Sequence, residues 1–175
     1  MAVALRGAHD TLVNMSEKIQ REQAMMLLER AYKHQMRGEF ADAMILYERS
    51  LELFPTAEAH TFLGWTYSMM DRYEEAIEEC KRAIAVDATF GNPYNDIGAY
   101  LIELERWEEA IPWLEKATEA PRYENPQFPH LNLGRVYEHQ GDVSQALRCY
   151  GEAIAIDPFY RTAIWAKYEL LGKLN

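Results

Sequence analysis

The chain is short of cysteine, of positive charge and of long apolar runs. Its two cysteines, Cys80 and Cys149, stand far apart and form no CxxC pair. They read as reduced thiols in a core, which suits a reducing compartment. Eighteen Lys and Arg are set against 28 Asp and Glu, a formal net charge of -10. An acidic surface repels phosphate backbones and anionic lipid headgroups, so neither nucleic acid nor a membrane is an expected partner. No apolar run approaches bilayer length, and the opening MAVALRGAHD lacks the basic and apolar stretches of a signal peptide. The expected setting is the cytoplasm.

Catalytic signatures are missing as well. There is no HExxH, no GxSxG, no phosphate-cradling glycine loop and no Cys–His metal spacing. We therefore expect no enzymatic activity, no cofactor and no metal site. The five histidines are scattered. His60 and His130 fall at equivalent places near the starts of two helices and read as half-buried packing residues rather than metal ligands. The pairs Glu74–Glu75 and Glu108–Glu109 open helices, where negative charge complements the macrodipole, so they need no acid–base role.

What is present is a repeat. A small residue recurs at Ala31, Gly64, Gly98 and Gly134, at spacings of 33, 34 and 36. An alanine recurs at Ala43, Ala76, Ala110 and Ala146, and a second small site at Ser50, Ala83, Ala117 and Ala153. Bulky residues stand between these two at Tyr47, Cys80, Leu114 and Tyr150, and another bulky set is Phe40, Tyr73, Trp107 and Val143. Two helices approach closely only where a side chain is nearly absent, so small residues must recur at their crossings. One such pair cannot bury its own apolar face, so the pairs must stack.

This set of residues resembles the tetratricopeptide repeat, whose period is about 34 residues. The resemblance implies an all-α fold: a right-handed superhelical solenoid of four helix-turn-helix repeats with a concave groove. The expected divisions are an N-terminal, partly helical flank at 1–23, repeats at 24–56, 57–90, 91–124 and 125–158, and a C-terminal capping helix at 159–175. Leu12, Met15 and Ile19 in the flank have helical spacing. They predict either a separate helix or an extension of the first one.

Gly38 and Gly141 mark turns within the first and fourth repeats, and Asp71 and Glu105 replace glycine at the matching turns. Pro55 and Pro158 follow second helices, while Pro112 is expected near a first helical turn, where a missing N–H matters least. TEAPRYENPQFPHL, between repeats three and four, carries two extra residues and three prolines. It predicts a longer, stiffer connection.

The resemblance also implies that the first helix of each repeat lines the groove. Carried over by alignment, the groove residues are Tyr32 and Met36 in repeat one, and Thr61, Trp65 and Met69 in repeat two. Repeat three supplies Asn95 and Ile102, and repeat four Arg135, Glu138 and His139. Tyr32 with Met36, and Trp65 with Met69, are four apart and share a helix face. Methionine adapts its shape and tryptophan is a frequent anchor, so the N-terminal half is expected to hold apolar side chains. The charged residues of repeat four suit a polar feature further along.

The carboxylate clamp of the family's chaperone-binding members is missing. Tyr32 and Phe62 stand where it needs asparagine, and Asn92, Asn95 and Asp96 stand where it needs basic residues. The expected function is a protein-interaction scaffold that holds a peptide or helix of a partner protein. A secretion-type or assembly chaperone is the alternative, as is a self-associating assembly protein. Self-association would run through the flank or the C-terminal helix, and the flank is also a candidate occupant of the groove.

Overall fold

Small side chains at helix crossings determine how this chain pairs with itself. The computed structural model describes residues 2–174, with side chains described from Asn14 to Leu174. The described residues form nine helices: α1 Ala2–Gln35, α2 Phe40–Leu53, α3 Ala57–Ser68, α4 Tyr73–Val86, α5 Asn92–Glu103, α6 Trp107–Glu119, α7 Gln127–His139, α8 Val143–Ile156 and α9 Arg161–Gly172. No strand occurs among them beyond an isolated bridge between Phe90 and Arg122.

Consecutive helices pack as four hairpins, α1/α2 to α7/α8, with α9 on α8. A Cβ placed on Gly98 would lie 2.4 Å from Leu114 Cδ2, and one on Gly134 would lie 2.3 Å from Tyr150 Cε1. At Gly64 the nearest atom is the Ala76 carbonyl oxygen at 3.0 Å. All four recurring alanines and the residues Tyr47, Cys80, Leu114 and Tyr150 are buried. Where the second small site is Ser50, its hydroxyl donates to Ala24 O at 2.7 Å, so the buried oxygen is satisfied.

The hairpins stack into one core. Tyr67 packs against both the first and the central apolar clusters, and Tyr137 against both the central and the last. His34 holds the matching place in the first hairpin, and there its Nδ1 lies 2.6 Å from Glu39 Oε2. Each odd-numbered helix touches the next odd-numbered one, whereas the even-numbered helices do not touch each other among the described residues. The stack therefore curves, with α1, α3, α5 and α7 on its concave side. It is an all-α tetratricopeptide-type solenoid.

Left-handed backbone closes every hairpin: φ is +76° at Gly38 and Gly141, 58° at Asp71 and 59° at Glu105. Glutamate tolerates this region poorly, so Glu105 carries local strain.

One expectation needs correction. Pro112 is the sixth residue of α6, so it lies past the first turn and deprives the Glu108 carbonyl of its usual helical donor. Of the two alternatives for the flank, it is the extension that occurs: α1 is continuous over 34 residues. Its stretch from Asn14 to Arg21 projects past the end of α2 and lies beside Phe54. Met15 and Ile19 are exposed on this projection; the side chain of Leu12 lies outside the described residues.

α9 packs inward through Ala163 and Leu170 and exposes Trp165 and Tyr168 on its other face. No helix among the described residues is long and apolar enough to cross a membrane.

Candidate functional site on the concave face

The concave face holds a cavity of about 390 Å³ bounded by α1, α3, α5, α7 and the connection 120–126. Tyr32 of α1 and Phe62 and Trp65 of α3 form its apolar wall. Their rings touch in series, with centroids 5.5 Å apart for Tyr32–Phe62 and 6.5 Å for Phe62–Trp65. Trp65 is 41% exposed although it sits in a packed cluster, so a large apolar face is open to a guest. Phe128 of α7 closes the far side.

The opposite wall is polar. Asn92, Asn95 and Asp96 occupy the first turns of α5. Asn132 Nδ2 donates to Asn95 Oδ1 at 3.0 Å, and Arg135 Nη1 donates to Asn132 Oδ1 at 3.4 Å. Arg135 Nη2 in turn meets Glu103 Oε1 at 3.3 Å. This ladder runs from α5 to α7 and ends on an ion pair. Burial pushes the Asp96 carboxyl up to about 7, eased only by a long 3.4 Å bond from Asn95 Nδ2. No donor among the described residues reaches the buried Asn92 Oδ1.

The connection 120–126 forms a strap along one edge of the cavity. Arg122 N donates to Thr89 O at 3.1 Å, and Gly91 N donates to Arg122 O at 2.9 Å. The Arg122 guanidinium lies 4.2 Å from the centre of the Phe90 ring and bonds both Glu58 at 2.8 Å and Asp87 at 2.7 Å. Position 91 must be glycine, because a Cβ there would come within 2.7 Å of Tyr123 Cβ. So fixed, the strap brings Tyr123, Glu124 and Asn125 to the cavity wall.

The groove residues expected from sequence divide into three groups. Tyr32, Thr61, Trp65 and Asn95 line the cavity, although the Thr61 hydroxyl is turned back onto Ala57 O at 2.7 Å. Met36, Met69 and Arg135 are exposed beyond its edge. The others serve packing. Ile102, four residues after Gly98, shares the stripe that faces the core and is 3% exposed. Glu138 accepts from Tyr150 Oη at 2.8 Å and from Lys173 Nζ at 3.1 Å. His139 stacks on Trp107 with ring centroids 4.0 Å apart, away from the cavity lining.

Sequence reasoning assigned no groove role to Asp96, Phe128 or the strap. The extra, proline-rich residues between α6 and α7 were the available signal for the strap.

A larger hollow of about 520 Å³ lies beside α2, α3 and α4. Within it Glu79 is held between His60, at 2.7 Å, and Arg82. The fourth hairpin repeats this arrangement, with His130 3.0 Å and Arg148 2.8 Å from Glu152. Both histidines are thus carboxylate-paired packing residues. Both cysteines are buried, and burial pushes the Cys149 thiol up to about 11, away from nucleophilic use.

The tetratricopeptide repeat family profile matches residues 57–90 and 128–160. The chain is 27% identical over 122 residues to the type IV pilus assembly protein PilF of Pseudomonas aeruginosa, covering 69% of this chain and 48% of that protein. It is 27% identical over 143 residues to anaphase-promoting complex subunit 3 of Schizosaccharomyces pombe, covering 80% of this chain and 21% of that protein. The chain thus spans about half the length of these curated relatives, or less. The solved structure of Pseudomonas aeruginosa pilF superposes with a TM-score of 0.82 at 24% identity, over 88% of this chain and 70% of that one.

Proposed function

The chain belongs to the tetratricopeptide repeat family, whose members are protein-interaction scaffolds, and on that premise we propose that it holds a segment of a partner protein in its concave groove. The carrying observation is the open Tyr32–Phe62–Trp65 wall facing a polar ladder across one cavity. An aromatic wall supplies apolar anchorage, and asparagine amides supply hydrogen bonds to an extended backbone or polar side chains. The buried cysteine thiols support a cytoplasmic setting. Binding is the whole of the activity, with no chemical step.

Affinity capture from the native cell extract tests this reading. Trp65→Ala, at unchanged helical circular dichroism, should weaken capture about tenfold or more, as loss of a central aromatic anchor does. Capture that ignores the substitution removes the groove from the account.

A second reading, an assembly chaperone, is favoured by the 27% identity to a pilus assembly protein. It requires that one partner, unstable alone, co-purify with this chain in a fixed ratio.

A further inference from the structure

We infer that the strap-walled cavity is a subsite for a cationic side chain, lysine or arginine, of the segment held in the groove. The inference rests on the groove reading above and adds the chemistry of the guest.

The cavity wall carries two carboxylates, Asp96 and Glu124, and no basic residue. The nearby arginines are already engaged: Arg122 with Glu58 and Asp87, and Arg135 with Glu103. Asn92 Oδ1 adds a buried acceptor without a donor. The excess of acceptors therefore calls for a guest rich in donors. Around them stand five aromatic rings, Tyr32, Phe62, Trp65, Tyr123 and Phe128. Ring faces attract a cation and also pack the methylene stem of lysine or arginine.

The competing guests fare worse. An aliphatic side chain would fill the space between the rings and leave the buried acceptors unmatched. An acidic one would meet the Glu124 carboxylate and an Asp96 carboxyl that its charge would hold still further from ionising. The first turn of α5 opens at this wall, and its dipole of roughly half a charge favours an anion. The Glu124 carboxylate, with the charge an incoming cation draws out of Asp96, outweighs it. Burial already holds Asp96 back from ionising, and an incoming cation relieves that cost. The chain's net charge of -10 draws basic segments from a distance.

The test titrates the full-length ¹⁵N-labelled chain with N-acetyl-lysine methylamide, and separately with its norleucine and glutamate counterparts. The lysine probe should move the Trp65 indole signal and the Asn92, Asn95 and Asn125 side-chain amide signals. It should bind about fivefold or more tightly than norleucine. The double substitution Asp96→Asn, Glu124→Gln, with spectral dispersion intact, should abolish that preference. Norleucine binding as well as lysine, glutamate binding best, or a lysine preference that survives the double substitution each overturns the inference. Partner capture that depends on Trp65 without any lysine preference defeats this inference and leaves the groove reading standing. Capture indifferent to Trp65 defeats the groove reading itself.

Discussion

Gly98 and Asp96, two residues apart on α5, place opposite demands on the chain. Gly98 exists because Leu114 lies where its side chain would be, and Leu114 is fully buried with no room to retreat. Gly98→Ala should therefore cost about 1–3 kcal/mol in a urea melt, even though alanine is the better helix former. Asp96 instead costs stability where it stands. The unfolded carboxyl ionises near 3.8 and the folded one near 7. Between these values the folded state holds a proton that the unfolded state has released, so stability falls as pH rises through that window. Asp96→Asn removes the effect. Thermal melts should find the variant roughly 1–3 kcal/mol more stable than wild type at pH 8 and equal to it near pH 4. A residue that lowers stability at neutral pH and faces the groove is better explained by binding than by folding.

At the level of elements, the helices were legible in the sequence and the strap was not. Small residues returning at a fixed interval specify crossings, because nothing else lets two backbones nest, and Gly64, Gly98 and Gly134 all sit at such contacts. The aromatic wall was half legible: Tyr32 and Trp65 follow from helix phase, which depends only on spacing. The phase argument fails at Ile102 and His139. Ile102 lies on the stripe facing the core, and His139 stacks on a ring from the preceding hairpin. The strap lies outside any periodic pattern, since its conformation is set by long-range partners, Glu58, Asp87, Thr89 and Gly91. Arg122→Ala tests its role. Exposed ion pairs contribute little, so global stability should drop by less than about 1 kcal/mol. Amide exchange at Gly91 and at position 122, whose bonds close the strap, should accelerate markedly. Unchanged exchange there would mean that the backbone bridge holds without the side chain.

At the scale of the whole molecule, charge and exposed apolar surface are unevenly spread. Residues 1–23 carry three basic and three acidic side chains, and residues 159–175 three basic and one acidic, so the stack between them carries a formal charge of -12. The projecting part of α1 with Met15 and Ile19, and the outer face of α9 with Trp165 and Tyr168, are the most apolar exposed surfaces at the two ends. The middle is acidic, and it is there that the groove opens.

The lack of contact among the even-numbered helices has a mechanical consequence. A coil whose outer helices meet the inner helices of the next hairpin but not one another can open or tighten like a spring, each hairpin tilting slightly on the next. Arg122 works as a clasp on that spring, fastening the second hairpin to the strap that leaves the third. The joint between the second and third hairpins thus carries a side-chain fastening in addition to its helix packing, and that fastening sits at the edge of the central seat.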